Sequence, residues 1–225
     1  MEKIKALAID GPAGAGKSTI ARAVSHKLGW IYVDTGALFR AAALSLLEQG
    51  ISPEDSEAVR KAAPNLRLDL CIADGVQHVF LGGRDVSAEI RREEIGKAAS
   101  AFAREDAVRQ RVLVIEREIA AREPVVMDGR DIGTVVLPNA IAKVFLTASV
   151  EVRAKRRTAE LREKGIEANF EEVKRDIAAR DEQDKNRAVA PLRQAEDALL
   201  LDSSELGIAE VQQRILALVR EKEAE

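Results

Sequence analysis

The sequence contains very little of the chemistry that cysteine and histidine supply. Its 225 residues include one cysteine, Cys71, and two histidines, His26 and His78. A single cysteine excludes an internal disulfide and fits a reducing compartment. The histidines stand apart, without a metal-ligand partner at a useful spacing, which disfavours zinc and thiol chemistry. We expect Cys71 to be a small core hydrophobe in a predicted strand.

Long apolar runs and a strong net charge are also missing. The N-terminal apolar stretch is broken at Asp10, far short of the roughly 20 residues that a membrane span needs. The net charge of −3 argues against a general nucleic-acid or acidic-membrane partner. We therefore expect a cytoplasmic protein with no nucleic-acid or membrane partner, and we expect a monomer. At this length, a hydrophobic content of 46% allows one domain spanning residues 1–225 to bury a substantial core.

The most informative feature that is present is a glycine-rich loop between an apolar run and a helical pattern. Its glycines let successive N–H groups point inward at phosphate oxygens, and the following helix adds its positive end. In such a loop Lys17 reaches the β- and γ-phosphates, and the Ser18 hydroxyl binds a bridging Mg²⁺. The predicted phosphate-binding residues are Gly11, Pro12, Ala13, Gly14, Ala15, Gly16, Lys17, Ser18 and Thr19. A plain glycine turn is the alternative, and the motif alone covers GTPases, ATPases and small-molecule kinases.

The elements around this loop predict an α/β fold. A strand at 6–10, a helix at 20–28 and a strand at 31–33 form one right-handed crossover, which predicts a parallel sheet with helices on its faces. Ligands of such sheets bind beyond the carboxyl ends of the strands. Further strands are predicted at 125–128, 143–146 and 199–202, and further helices at 37–48, 94–104, 107–122, 150–164, 170–180 and 208–222.

A change of period interrupts this series. Apolar residues alternate over 66–72 and 76–81 around the turn Ala73-Asp74-Gly75, which predicts a β-hairpin insert at about 64–90. Before it, Ser52 is predicted to cap a helix that has Pro53 in its first turn. The predicted architecture is thus a three-layer P-loop fold with an inserted subdomain.

Charged side chains occur where phosphoryl transfer needs them. Arg40 lies one helical turn after the second strand, and Asp128 ends the third core strand, where an acid can hold Mg²⁺. Arg153 and Arg157 share a helix face beside Arg156, which a kinase can use as a lid that excludes water. A solvated helix face and a strand-ending turn remain the alternatives for these segments.

Four segments, in order along nearly the whole chain, resemble bacterial cytidylate kinases: residues 11–19, 34–40, 128–138 and 180–192. The resemblance implies transfer of the γ-phosphate of ATP to CMP or dCMP, with Mg²⁺. It also implies a monophosphate-binding region at 36–105 and a helical lid at 150–185.

The resemblance assigns roles to individual residues. Thr35 and Arg40 border the monophosphate, Arg130 contacts phosphate and Asp131 contacts cytosine. Ser100 and Arg109 read the base, and Asp184 binds the sugar hydroxyls beside Arg180 and Arg187. The expected catalytic set is Lys17, Arg130, Arg153 and Arg157, and the expected metal ligands are Ser18 and Asp128. Cytosine offers an N4 donor to an acid, whereas the O4 of uracil would face it acceptor to acceptor.

Two other readings of the motifs are less consistent with the sequence. Small kinases that act on shikimate, dephospho-coenzyme A or thymidylate share the loop but not the full set of four segments. A P-loop switch predicts a guanine-reading Asn-Lys-x-Asp motif, which the sequence lacks. It would also leave the arginine-rich helix without a purpose.

Overall fold

The computed structural model describes residues 3–73, 76–163 and 165–225. Two compact units divide the chain, the first comprising Met1–Trp30 with Val126–Glu225 and the second comprising Ile31–Val125. The predicted turn residues Asp74 and Gly75, and Lys164 at the end of a predicted helix, lie outside the described residues. The predicted region 36–105 falls within the second unit and the predicted lid 150–185 within the first, and the roles of both regions remain predictions.

The described strands and helices follow the predicted order. The strands are β1 (Ile4–Asp10), β2 (Ile31–Asp34), β3 (Leu68–Ala73), β4 (Val76–Leu81), β5 (Arg84–Asp85), β6 (Val125–Gly129), β7 (Ala140–Thr147) and β8 (Leu199–Asp202). The helices are α1 (Lys17–Leu28), α2 (Thr35–Glu48), α3 (Ser56–Ala62), α4 (Glu93–Phe102), α5 (Asp106–Arg122), α6 (Val150–Glu163), α7 (Phe170–Asn186) and α8 (Ile208–Ala224). A short π-helix at Ile132–Val136 was not predicted.

The larger sheet confirms the predicted α/β fold. Its strand order is β2-β6-β1-β7-β8, and β7 is parallel to both β1 and β8. Leu7 and Ile9 in β1 and Met127 in β6 are fully buried, as expected for strands covered on both faces. In the first unit α1 contacts β1 and α8, and α8 contacts β7. The phosphate loop therefore leaves the carboxyl end of an interior strand.

The second unit is built around α2, an alanine-rich helix that contacts α4, α5 and the small sheet. That sheet has the order β3-β4-β5. The antiparallel register from Leu68↔Leu81 to Ala73↔Val76 confirms the predicted hairpin, and β5 is an additional short strand. Leu38, Phe102 and Ile90 belong to its core cluster.

Two local predictions were wrong. Ser52 does not cap a helix, because the helix begins at Ser56 and Asp55 accepts the N–H of Ala58 at 3.0 Å, while the Ser52 hydroxyl bonds to Glu54. Cys71 is exposed rather than in the core, because it shares the outer face of β3 with Asp69. Among the residues that the structure describes, no helix combines the length and the apolarity that crossing a membrane requires.

Candidate active site

The phosphate loop has a backbone that only glycine accommodates. Gly11 has φ of +151°, and a Cβ there would lie 1.9 Å from the carbonyl oxygen of Leu146. Gly16, the N-cap residue of α1, has φ of +84° in the left-handed region. Other residues would be strained in that conformation. The sequence pattern of this loop is thus explained by its geometry.

Lys17, the first residue of α1, is buried, and its Nζ donates to the carbonyl oxygen of Pro12 at 2.8 Å. Burial lowers the pKa of Lys17 to about 7, and the positive charge of Arg130 is the second cause. Asp128 and Asp10 raise this pKa, and Arg180 lowers it further. Lys17, Arg130 and Arg180 therefore lie close enough to interact, with Asp128 and Asp10 opposing their effect, and a bound polyanion would interact favourably with these cations.

Asp10 joins the strand before the loop to the segment that carries Arg130 and Asp131. Its two carboxylate oxygens accept the backbone N–H groups of Ile132 and Gly133 at 2.8 and 2.7 Å. Burial raises the pKa of Asp10 to about 6, although these hydrogen bonds oppose the shift. The sequence reading missed this residue as a site component. The sequence feature that could have indicated a role for Asp10 is its position as an acid at the end of a buried strand. In the sequence alone, Asp10 was interpreted only as the residue that breaks an apolar run.

Ser18 and Asp128 fit a magnesium site of the kind predicted. The Ser18 hydroxyl donates to Oδ2 of Asp128 at 3.0 Å, which brings two hard oxygen donors together. The described residues contain no group of three or more His, Cys, Asp or Glu side chains that could hold a metal. This donor set suits Mg²⁺, which keeps several waters and takes the rest of its shell from substrate phosphates.

Arginine and acid side chains predicted as substrate ligands lie in pairs within the first unit. Arg130 Nε donates to Asp184 Oδ2 at 2.7 Å, and Arg187 Nη2 donates to Asp131 Oδ1 at 3.3 Å. Both side chains of the second pair are 7% exposed. These two pairs connect the segment after β6 to residues at the end of α7. Such contacts are expected if the 128–138 and 180–192 segments serve one site.

Arg153 is held by the protein itself. It forms a bidentate pair with Asp181, at 3.1 and 2.6 Å, and donates to the carbonyl oxygens of Ala13 and Ala148 at 2.9 and 2.8 Å. A Cβ on Gly14 would lie 3.3 Å from the Arg153 Cβ, so the phosphate loop lies directly against this helix. The expected contact of Arg153 with the transferred phosphate remains a prediction, and Asp181 was not predicted.

A cavity of about 620 Å³ lies beside the phosphate loop in the first unit. Arg157, which pairs with Glu160 at 2.9 Å, lines it together with Arg156. Arg156 also donates to the carbonyl oxygen of Ser203 at 2.7 Å. The remaining lining residues are Gly14, Ala15, Gly16, Lys17, Ser18, Thr19, Ile20, Glu160, Ser203, Leu206, Gly207, Ile208 and Val211.

The other predicted substrate ligands belong to the second unit. Thr35 is buried in the first turn of α2, and Arg40 from the same helix pairs with Asp34 at 3.0 Å. Ser100 on α4 donates to the carbonyl oxygen of Gly96 at 3.3 Å. Arg109 on α5 is buried, with its guanidinium 5.4 Å from the centre of the Phe39 ring. Their contacts with substrate remain predictions.

The parallel sheet, the phosphate loop at the end of β1 and the buried lysine define a P-loop nucleotide-binding protein. The family model described as cytidylate kinase matches residues 7–221. The chain belongs to the cytidylate kinase family, which confirms the resemblance inferred from the four segments.

Curated relatives are similar along almost their full lengths. The cytidylate kinase of Caldicellulosiruptor bescii is 46% identical over 218 residues, which are 97% of this chain and 96% of the relative. That of Shouchella clausii is 48% identical over 215 residues, or 96% of each chain. A solved gluconokinase structure from Sinorhizobium meliloti 1021 has a TM-score of 0.50 at 16% identity, covering 98% of this chain and 94% of its own. That last similarity concerns the fold alone.

Proposed function

We propose that this protein transfers the γ-phosphate of ATP directly to CMP or dCMP, giving CDP or dCDP, with Mg²⁺ as cofactor. The observation that carries the proposal is Lys17, a lysine buried in a phosphate loop with Arg130 and Arg180 near enough to lower its pKa. Positively charged side chains placed together can stabilise the negative charge on the phosphate oxygens in the transition state of phosphoryl transfer.

The donor nucleotide is assigned to the first unit. Residues 11–19 would cradle the phosphates through their N–H groups, and Lys17 would take up a proton and pair with the β- and γ-phosphates. Ser18 and Asp128 would hold Mg²⁺, which supplies charge neutralisation between these phosphates when bound. The cavity beside the loop is proposed for the rest of the donor, with Arg156 and Arg157 at its wall.

Each predicted acceptor ligand is proposed for a stated part of the nucleotide. Thr35 and Arg40 would border the monophosphate, and Arg130 would contact phosphate. Asp184 would bind the sugar hydroxyls, with Arg180 and Arg187 as further substrate ligands. The buried Asp131 carboxylate would accept a hydrogen bond from the N4 amino group of cytosine. Ser100 and Arg109 would bind the rest of the base edge. Arg187 donates a hydrogen bond to Asp131 and would orient its carboxylate for that role.

Arg130, Arg153 and Arg157 complete the proposed catalytic set with Lys17. Arg130 and Arg157 each have one carboxylate partner, which a phosphate dianion can replace. Arg153 is held by four hydrogen bonds to protein groups, and its support for the proposal is its contact with the backbone of the loop. We also expect a cytoplasmic monomer that acts on small nucleotides without nucleic-acid or membrane partners.

A coupled assay with MgATP and a panel of nucleoside monophosphates tests the proposal. CMP and dCMP should be phosphorylated well and UMP much less, and the Lys17→Ala variant should lose most turnover while remaining folded. Equal turnover of UMP, or ATP hydrolysis that needs no monophosphate, would contradict the proposal. Hydrolysis of that second kind would favour a nucleotide switch.

A further inference from the structure

Asp34, the last residue of β2, holds two arginines from different parts of the second unit. Its Oδ2 accepts Nη2 of Arg40 at 3.0 Å and Nη1 of Arg91 at 3.0 Å. Oδ1 meanwhile accepts the N–H of Ala37 and so caps α2. The Asp34 side chain is 11% exposed and Arg40 is 22% exposed, whereas Arg91 is 53% exposed. Water therefore screens the Arg40 pair less than the Arg91 pair. We call Asp34, Arg40 and Arg91 the Asp34 cluster.

The position of Asp34 is fixed by the small sheet. Its N–H donates to Oε1 of Gln77 at 2.8 Å, and Nε2 of Gln77 donates to its carbonyl oxygen at 3.1 Å. A Cβ on Gly36 would lie 3.2 Å from both Arg40 Nη1 and Asp34 Oδ1, so a side chain there would disturb the pair. The cluster is therefore held by specific contacts from β4 and α2.

The cluster has hydrogen-bonding capacity and charge left for an anion. One carboxylate faces two guanidinium groups, which leaves a net charge of +1. Arg40 Nε is buried and has no hydrogen-bond partner, and buried N–H groups without a partner are rare in folded proteins. Arg91 is 53% exposed and sits on a short 3₁₀ turn, so its guanidinium can turn from the carboxylate towards a ligand.

We propose that Arg91 is a second guanidinium for the acceptor's monophosphate, acting together with Arg40, and that Asp34 is the positioning residue for both. The inference deepens the proposed function and rests on it. A phosphomonoester dianion has three acceptor oxygens, enough to take Arg40 Nε and a fork of Arg91 at once. The negative charge of this group is opposite to the net +1 of the cluster, which favours its binding there.

A purely structural role for the Arg91 pair makes a different prediction. An ion pair with one half-exposed partner contributes little to stability, so its loss should leave folding and all ligands almost unaffected. A role in binding the monophosphate affects only ligands that carry that phosphate. Cytidine and CMP differ by this group alone and therefore separate the two roles.

The test compares Arg91→Gln with the matched control Arg92→Gln. Arg92 is the next residue, is similarly exposed at 50%, and pairs with Glu89 and Glu94 outside the cluster. For Arg91→Gln we expect KM and the calorimetric Kd for CMP to rise about tenfold to a hundredfold, because one or two charged hydrogen bonds to the phosphate would be lost. The Kd for cytidine and the KM for ATP should stay within about twofold of the wild-type values, and the unfolding midpoint should be nearly unchanged. All of these values, and those for CMP, should also be close to wild type in Arg92→Gln.

Two further variants separate charge from geometry. Arg91→Lys retains the charge without the planar fork and should restore only part of the CMP affinity. Asp34→Asn retains a cap acceptor for α2 but loses the charge that holds both arginines, so KM for CMP should rise while the helical circular dichroism signal is unchanged. A lower KM in Asp34→Asn would overturn the positioning role, because added positive charge alone would then have improved binding.

The outcomes also distinguish this inference from the proposed function. If the wild-type protein phosphorylates neither CMP nor dCMP, the proposed function fails, and the inference fails with it. If the wild-type protein is active and Arg91→Gln matches Arg92→Gln for CMP, only the inference is wrong. An equal loss of cytidine and CMP affinity would likewise overturn it in favour of a structural role.

Discussion

At Lys17, burial and the charges of Arg130 and Arg180 oppose protonation, whereas Asp128 and Asp10 favour it, and the resulting pKa is about 7. A bound triphosphate places negative charge beside Nζ and therefore raises this pKa again. Between about pH 7 and the ordinary lysine pKa near 10.4, the ligand-bound protein holds a proton that the free protein has released.

ATP binding at pH 8 should consequently be accompanied by uptake of a proton from the buffer. Calorimetric titrations in buffers of different ionisation enthalpy should give binding enthalpies that vary with the buffer, with a slope of roughly one proton or slightly less at pH 8 and a smaller slope at pH 6. Lys17→Met, which has no titrating group, should lose most of this slope. A wild-type slope of zero at pH 8 would show that Lys17 is already charged before ATP binds.

Asp131 is the second residue with a proposed role that a substitution can test, because its buried carboxylate accepts a hydrogen bond from Arg187 and follows Arg130 in the sequence. In Asp131→Asn the amide oxygen can still accept cytosine N4, and the amide nitrogen can donate to uracil O4. We expect kcat/KM for CMP to fall about a hundredfold, with a smaller fall or a rise for UMP, so that discrimination narrows.

Asp184→Asn is the matched control for this specificity experiment. Asp184 also pairs with an arginine in the same segment, but its proposed partner is the sugar, which CMP and UMP share. The control should lower kcat/KM for both nucleotides by the same factor. If Asp131→Asn behaves in that way too, Asp131 does not read the base.

At the scale of elements, α6 and α7 are joined to the phosphate loop through one buried ion pair. The side chains of Arg153 and Asp181 are 4% and 8% exposed, and Arg153 also binds the Ala13 carbonyl oxygen. This contact fixes the peptide between Ala13 and Gly14. We infer that the pair positions the loop's N–H groups for the donor phosphates.

Removing the charge of Asp181 should therefore affect stability and donor binding together. Asp181→Asn leaves a buried guanidinium without its counter-charge, which costs about 3 kcal/mol in the free energy of unfolding. KM for ATP should rise more than KM for CMP, a difference that general destabilisation would not produce. Urea unfolding and steady-state kinetics measure the two effects.

Glu151→Gln provides the control for Asp181→Asn. Glu151 pairs with Lys155 at 2.9 Å on the exposed side of α6, the helix that carries Arg153, so its loss should change neither stability nor KM measurably. Equal increases of both KM values in Asp181→Asn would indicate that the pair supports the fold without a specific effect on the loop.

Helices, strands and the phosphate loop were largely predictable from the sequence because each is determined mainly by residues close together along the chain. The loop 11–19 is specified by its glycines, and the hairpin by alternation around a turn. Contacts between distant segments were not predictable. Asp10 bonds to residues more than 120 positions away, and Arg91 meets Asp34 across 57 positions. The false helix start at Ser52 arose because two potential caps stood three residues apart and only packing selects between them.

Across the whole molecule, folding buries ionisable groups at a cost to stability. Asp10 and Lys17 are buried ionisable residues with pKa values shifted toward their neutral forms. Asp10 holds a proton in the folded state between about pH 4 and 6 that the unfolded chain has lost. Its contribution to stability therefore falls as the pH rises through that range.

Lys17 has the opposite dependence in a separate range. Between about pH 7 and 10 the unfolded chain binds a proton at Lys17 that the folded protein does not, so stability rises with pH there. Lys17→Met removes this term, and it loses the hydrogen bond to Pro12 equally at both ends of the range. We expect the stability of Lys17→Met relative to wild type to fall by on the order of 2 to 4 kcal/mol from pH 7 to pH 10.

Urea unfolding of both proteins without nucleotide, at pH 7 and pH 10, measures this difference directly. Lys155→Met is the control, because the Lys155 side chain is 65% exposed and its replacement should leave the pH dependence of wild type unchanged. A Lys17→Met difference that is the same at both pH values would mean that folding does not disfavour the charged lysine. Since Asp10 titrates near pH 6, it contributes almost equally at both pH values and does not obscure the result.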